Sequence, residues 1–89
     1  MAITYSYTCQ EDAHGNGVRI YTAHVPNGKS GVWKNEGSPK PTFEIHSSGS
    51  GGDISSDGIK FPGACPTGNV NITVKQPDGS TGIEVCYPG

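Results

Sequence analysis

The stretch that most constrains this chain is its last, NVNITVKQPDGSTGIEVCYPG, from Asn69 to Gly89. Val70, Ile72 and Val74 alternate with Asn69, Asn71, Thr73 and Lys75, the period of a strand with one apolar and one polar face. Gln76-Pro77-Asp78-Gly79-Ser80 then supplies a ring that presets φ, a carboxylate that bonds back to the backbone and a glycine that accepts positive φ. Together these predict a hairpin turn. Beyond it Ile83, Val85 and Tyr87 resume the alternation, with Glu84 and Cys86 on the opposite face. Val70, Ile72, Val74, Ile83 and Val85 are thus expected to form the folding core, joined by Ile3, Tyr5 and Tyr7. Cys86 is expected to point outward.

The rest of the chain repeats this grammar in shorter phrases. Ile3 to Cys9 alternates cleanly and reads as a strand, and Gln10 to Gly17 has no period and reads as a polar loop. A second strand runs from about Val18 to Val25, with Val18, Ile20 and Thr22 facing one way and Arg19, Tyr21 and Ala23 the other. Pro26-Asn27-Gly28 ends it. Gly31 to Lys34 is a short strand holding the only Trp, a core anchor. Glu36 to Pro41 is a proline-flanked extended loop, and Thr42 to Ser48 a fourth strand with Phe43 and Ile45 inward and Glu44 and His46 outward. Residues 47–58, SSGSGGDISSDG, are expected to be a mobile Gly/Ser-rich loop, because such a segment buries too little to offset its backbone entropy. Ile59 to Phe61 is a short edge strand before the tight connection Pro62 to Gly68. No segment keeps helical spacing over three turns, and residues 1–89 are read as one all-β domain, a small antiparallel sandwich or barrel of six to seven strands.

Composition agrees. The chain has seven Ile, six Val, seven Thr and four Tyr but no Leu, the usage of strands rather than helices. A domain of this size hides only roughly 60 to 65% of its unfolded surface, so its core is thin. Its 15 Ile, Val and Phe residues are few, yet a net charge of −2 with 16% charged residues lacks the self-repulsion of a disordered chain. With a pI near 5.8 and its six basic residues scattered singly, it shows no footprint for nucleic acid or an anionic membrane. Met1-Ala2 directly before a β pattern is read as a start added to a mature secreted chain whose leader is left out.

Three cysteines fit that compartment, since small chains with thin cores are often stapled by disulfides. Closing Cys9 to Cys65 contributes roughly 4 kcal/mol in the chain-entropy model and closing Cys65 to Cys86 roughly 3. Cys9 with Cys65 is the favoured pair, because Cys9 lies on an apolar face and Cys65 in a tight turn near the core edge. The competing expectation is three reduced cysteines in a cytosolic domain. Cys86, left over and on the polar face, is the candidate intermolecular contact of a homodimer.

Glu44 and His46, two apart on one strand, share a face and have the spacing of an acid/base pair. With His24 and Arg19 they make the candidate catalytic set of a small hydrolase such as a ribonuclease. The plainer account is that Glu and His at alternate positions are what a solvated sheet face carries. Neither His nor Cys shows zinc-site spacing, Asp53 and Asp57 lack the dense oxygen pattern of a calcium loop, and no cofactor or metal is expected. Asn71-Ile72-Thr73 is an N-glycosylation acceptor sequence on the polar face of its strand.

A Tyr/Thr-rich first strand ending in Cys9, the Gly/Ser loops, the Gly63-Ala64-Cys65-Pro66 turn and the closing Val85-Cys86-Tyr87 resemble small secreted proteins of filamentous fungi. Effectors and elicitors with compact β folds are among these. The resemblance spans the whole chain in style and implies secretion and a non-enzymatic role in binding a protein partner, such as a host protein. The odd cysteine count departs from the fully paired pattern usual there.

Overall fold

In a computed structural model that describes residues 2–35 and 41–89, the chain forms eight strands and no helix. They are β1 (Thr4–Glu11), β2 (Gly17–Val25), β3 (Ser30–Asn35), β4 (Pro41–His46), β5 (Gly52–Ser55), β6 (Ile59–Phe61), β7 (Val70–Lys75) and β8 (Thr81–Pro88). The order across the sheet is β3-β4-β7-β8-β1-β2-β5, with β6 pairing the first residues of β2 and β5 the last. The sheet curls until its two ends nearly meet. A Cβ added to Gly31 of β3 would come within 2.7 Å of Ile54 Cδ1 on β5, which shows how closely the two ends approach. The result is an all-β, nearly closed barrel, as composition implied. Two ladders are parallel rather than antiparallel, β4 with β7 and β1 with β8.

The interior is filled from alternate positions of five strands: Tyr5 and Tyr7, Tyr21 and Ala23, Phe43 and Ile45, Ile72 and Val74, and Cys86. In a chain without leucine, aromatic rings supply the bulk. Phe43 meets Trp33 edge-on at 5.7 Å and Tyr5 at 6.1 Å, geometries in which ring quadrupoles attract. Tyr7 solves the polar-tip problem by donating its hydroxyl to the Gly68 carbonyl. Cys9 and Cys65 are joined, a bridge across 56 residues that ties the Pro62 to Gly68 connection to β1.

Two expectations fail. The first is the hairpin's core. β8 pairs β7 as Val70 with Cys86, Ile72 with Glu84 and Val74 with Gly82, and cross-strand partners share a face. Cys86 is therefore inside, at 0% exposure, while Ile83, Val85 and Tyr87 are 64, 41 and 57% exposed. The second is the loop at 47–58. Within it Gly52 to Ser55 pairs with β2, and Ser56 is buried, its hydroxyl accepting from the Tyr21 N–H at 2.9 Å. Gly51, at φ 72° and with Pro26 backbone 2.7 Å from where a Cβ would be, lets this segment lie flat on the β2–β3 turn. Backbone hydrogen bonds do here what side-chain burial could not. The proline-flanked loop expected at 36–41 falls mostly outside the described residues.

Candidate functional site

Glu44 and His46 do meet, with His46 Nε2 3.5 Å from Glu44 Oε1 on the outer face of β4. Two lysines that the sequence did not bring forward complete the group. Lys34 Nζ, from β3, lies 3.4 Å from Glu44 Oε2 and Lys75 Nζ, from β7, lies 4.0 Å from it. Their positions follow from register, which sets Lys75 directly beside Glu44 and Lys34 two residues along β3 from its partner Val32. A carboxylate ringed by three cationic or titratable groups is engaged as an ion-pair hub. It adjoins a shallow groove of about 260 Å³ that runs along His46, Ser48 and the β7–β8 turn.

His24 and Arg19 lie elsewhere. His24 is on the outer face of β2, where Nδ1 is 2.9 Å from Asp53 Oδ1 of β5 and Nε2 is 3.0 Å from Ser6 Oγ of β1. Sheet pairing puts Asp53 directly opposite His24, and Ser6 two residues along on the other side. Serine, imidazole and carboxylate in that order are the hydrogen-bonded line of a nucleophile, its base and the group that orients the base. Here the line lies on an open strand face, with the Asp53 side chain 64% exposed, and none of the three residues lines a described pocket. Sequence reading missed it because the three residues are 18 and 29 positions apart and only register unites them.

Arg19 faces the opposite way, toward the barrel interior, five residues and roughly 16 Å along β2 from His24. Its Nη1 donates to Tyr21 Oη at 3.1 Å and its guanidinium carbon stands 4.2 Å from the centre of the Phe61 ring. The four candidate catalytic residues therefore occupy three separate places. Asn71, the sequon residue, is exposed on β7 as expected. Among the described residues no cluster of three His, Cys, Asp or Glu side chains is arranged to hold a metal ion.

Cys86, expected as an outward contact, is the correction of most consequence. Its thiol is sealed in the core, and burial, with the charge of Glu84 adding to it, pushes its pKa up to about 11. Tyr5 beside it is raised to about 12, chiefly by burial and then by Glu84 and Cys86. A thiol so protonated and enclosed is a poor nucleophile for a disulfide with another chain. The surface that β8 does offer is apolar: Ile83, Val85 and Tyr87 in a row. Among the described residues Thr81 to Val85 pair only with β7, because β1 joins β8 only at Ser6 with Tyr87 and Tyr7 with Pro88. Compared with known protein families, curated proteins and solved structures, the chain matches none.

Proposed function

We propose that this chain is a secreted, non-enzymatic β protein of the effector or elicitor kind, working by binding a protein partner, and that it pairs with a second copy of itself through β8. The observation that carries the reading is the exposed Ile83, Val85 and Tyr87 row on a strand whose Thr81 to Val85 stretch pairs on one side only among the described residues. Adjacent apolar side chains exposed on such a strand are what evolution removes from proteins that stay single. A strand edge is also self-complementary, since two copies related by a two-fold axis pair it antiparallel. The Cys9–Cys65 bridge fits an oxidising compartment. No helix among the described residues is long and apolar enough to cross a membrane. Light scattering across a concentration series tests the pairing: the wild type is expected to move toward twice its monomer mass while Val85→Lys stays at monomer mass. Monomer mass for the wild type throughout overturns it.

A second reading, a small hydrolase, is favoured by the Ser6, His24 and Asp53 line rather than by Glu44 and His46. Release of nitrophenol from p-nitrophenyl acetate beyond that of free imidazole, abolished in Ser6→Ala, supports it. Equal rates for wild type and Ser6→Ala refute it.

A further inference from the structure

The chain carries one arginine. Arg19 alternates with Tyr21 and Ala23 on the inward face of β2, a position that a sheet protein normally fills with an apolar side chain. Among the described residues no carboxylate lies within ion-pair distance of its guanidinium. Its Nε is buried without a hydrogen-bond partner. A buried donor left unmade costs about 1–3 kcal/mol. Something must repay that placement, and the stacking on Phe61 and the single bond to Tyr21 satisfy only part of the fork.

What lies beside the guanidinium is a pocket of about 270 Å³. It is lined by the apolar residues Tyr21, Ile72, Phe61, Pro41 and Ile83 and, from β7, by Asn71 and Thr73. Residues of five strands, β2, β4, β6, β7 and β8, line it, and among the described residues β6 pairs with β2 alone. Apolar residues with a few convergent polar groups are the usual make-up of a small-molecule site, and this volume, just under the roughly 300 Å³ at which such sites begin, suits only a small ligand. A planar guanidinium matches a planar carboxylate, and walls of Phe, Pro and Ile exclude a fully hydrated ion such as sulfate.

We propose that Arg19, Phe61, Asn71 and Thr73 form a binding site for a small organic carboxylate with an aromatic or branched apolar body. The carboxylate bonds the guanidinium and the β7 side chains, and the apolar body lies between Phe61 and Ile83. Ile83 belongs also to the outward row of β8, so the ligand site and the pairing surface share that one side chain.

The test is titration of the protein with sodium benzoate, followed by amide and arginine Nε–H resonances, with benzamide, acetate and sulfate as separate arms. Saturable shifts centred on Arg19, Tyr21, Phe61 and Thr73 are expected with benzoate. Benzamide, which lacks the charge, and acetate, which lacks the apolar body, should each bind weaker by about tenfold or more, the first for want of a charge-assisted hydrogen bond and the second for want of buried apolar surface. Arg19→Lys should weaken benzoate similarly. Where that variant fails to fold, Asn71→Asp on the exposed rim serves instead, because its carboxylate repels the ligand. No saturable shift with benzoate, equal shifts with benzamide, or benzoate affinity unchanged in Asn71→Asp overturns the proposal, and equal shifts with sulfate mark an adventitious ion only.

Discussion

β7 and β8 are two strands of one hairpin with the same alternating pattern, yet one hides its apolar set and the other displays it. In β7 the even residues Val70, Ile72 and Val74 go inward, and in β8 the even residues are Gly82, Glu84 and Cys86. The turn decides this. Gly79 N–H donates to the Gln76 carbonyl at 2.9 Å and Gln76 N–H to the Ser80 carbonyl at 2.7 Å, so three residues, Pro77 to Gly79, span the gap. Gln76 then opposes Ser80, even faces even throughout, and a turn one residue longer or shorter would have flipped β8. Two equal-looking patterns thus take opposite roles because a loop of fixed length counts them.

The largest expected effect exposes that asymmetry. Ile72→Ala and Val74→Ala remove side chains with 2% and 0% exposure and should each lower the unfolding free energy by about 2–4 kcal/mol in urea. Ile83→Ala and Val85→Ala, at the outward positions of the partner strand, should stay within about 0.5 kcal/mol. Equal losses on the two strands would mean that β8 is registered the other way.

Cys86 sharpens the same contrast at an intermediate size. Cys86→Ser leaves a hydroxyl at a fully buried position and should cost about 1–3 kcal/mol, whereas Tyr87→Ser beside it should cost far less. The thiol also gives the contrast a pH signature. Its pKa rises from 9.0 to about 11 on folding, so the native state holds that proton more tightly than the unfolded chain does. The associated stability is complete below pH about 9 and is lost as pH climbs toward 11, by up to about 1.4 kcal/mol per pH unit. Tyr5, raised from 10.0 to about 12, adds loss in the same direction only from about pH 10 upward. Between pH 9 and 10, Cys86→Ala should therefore lose stability more slowly than wild type in denaturant titrations, and parallel curves would count against a buried neutral thiol.

How much of this was legible follows from the range of each signal. Tyr5, Tyr7, Phe43, Ile45, Ile72 and Val74 were placed inside by period alone, and Cys9 with Cys65 by face and turn, because both are local readings. Ile83 and Val85 were misplaced because alternation names two faces without saying which one meets the core. β5 was missed since Gly52 to Ser55 owes its order to β2, its ladder partner, and only Ile54 in it carries an apolar side chain. The Ser6, His24 and Asp53 line, the Lys34 and Lys75 shell of Glu44, and the pocket at Arg19 all need cross-strand register, which a single sequence does not display.

Gly79 bears on the comparison through the turn itself. Its φ of 89° lies in the left-handed region, where a side chain is strained and nothing else crowds the position. Gly79→Ala should cost about 1 kcal/mol and lower the melting temperature by a few degrees without moving the β7–β8 pairing. Inserting a second glycine after Gly79 is the stronger form of the experiment. It should either be looped out or drive Ile83 and Val85 inward, and amide contacts between Val70 and Cys86 report which.

The smallest effect belongs to Asp78, whose Oδ1 accepts from the Ser80 hydroxyl at 2.6 Å and from the Ser80 N–H at 2.9 Å. Those bonds, the hydroxyl first, favour the carboxylate and hold its pKa below the usual 3.8. A carboxyl with a depressed pKa contributes its stability above its unfolded value and loses it as pH falls through the folded one. The side chain is fully exposed, so the loss is confined to the turn. In an acid titration the Ser80 amide resonance should shift with a midpoint below 3.8, and in Asp78→Asn, which keeps an acceptor oxygen but cannot ionise, that step should vanish with the β7–β8 register unchanged. A midpoint at the ordinary value would show that the Ser80 bonds are too weak in water to help set the turn. Register would then rest on Pro77, Gly79 and the buried side of β7 alone.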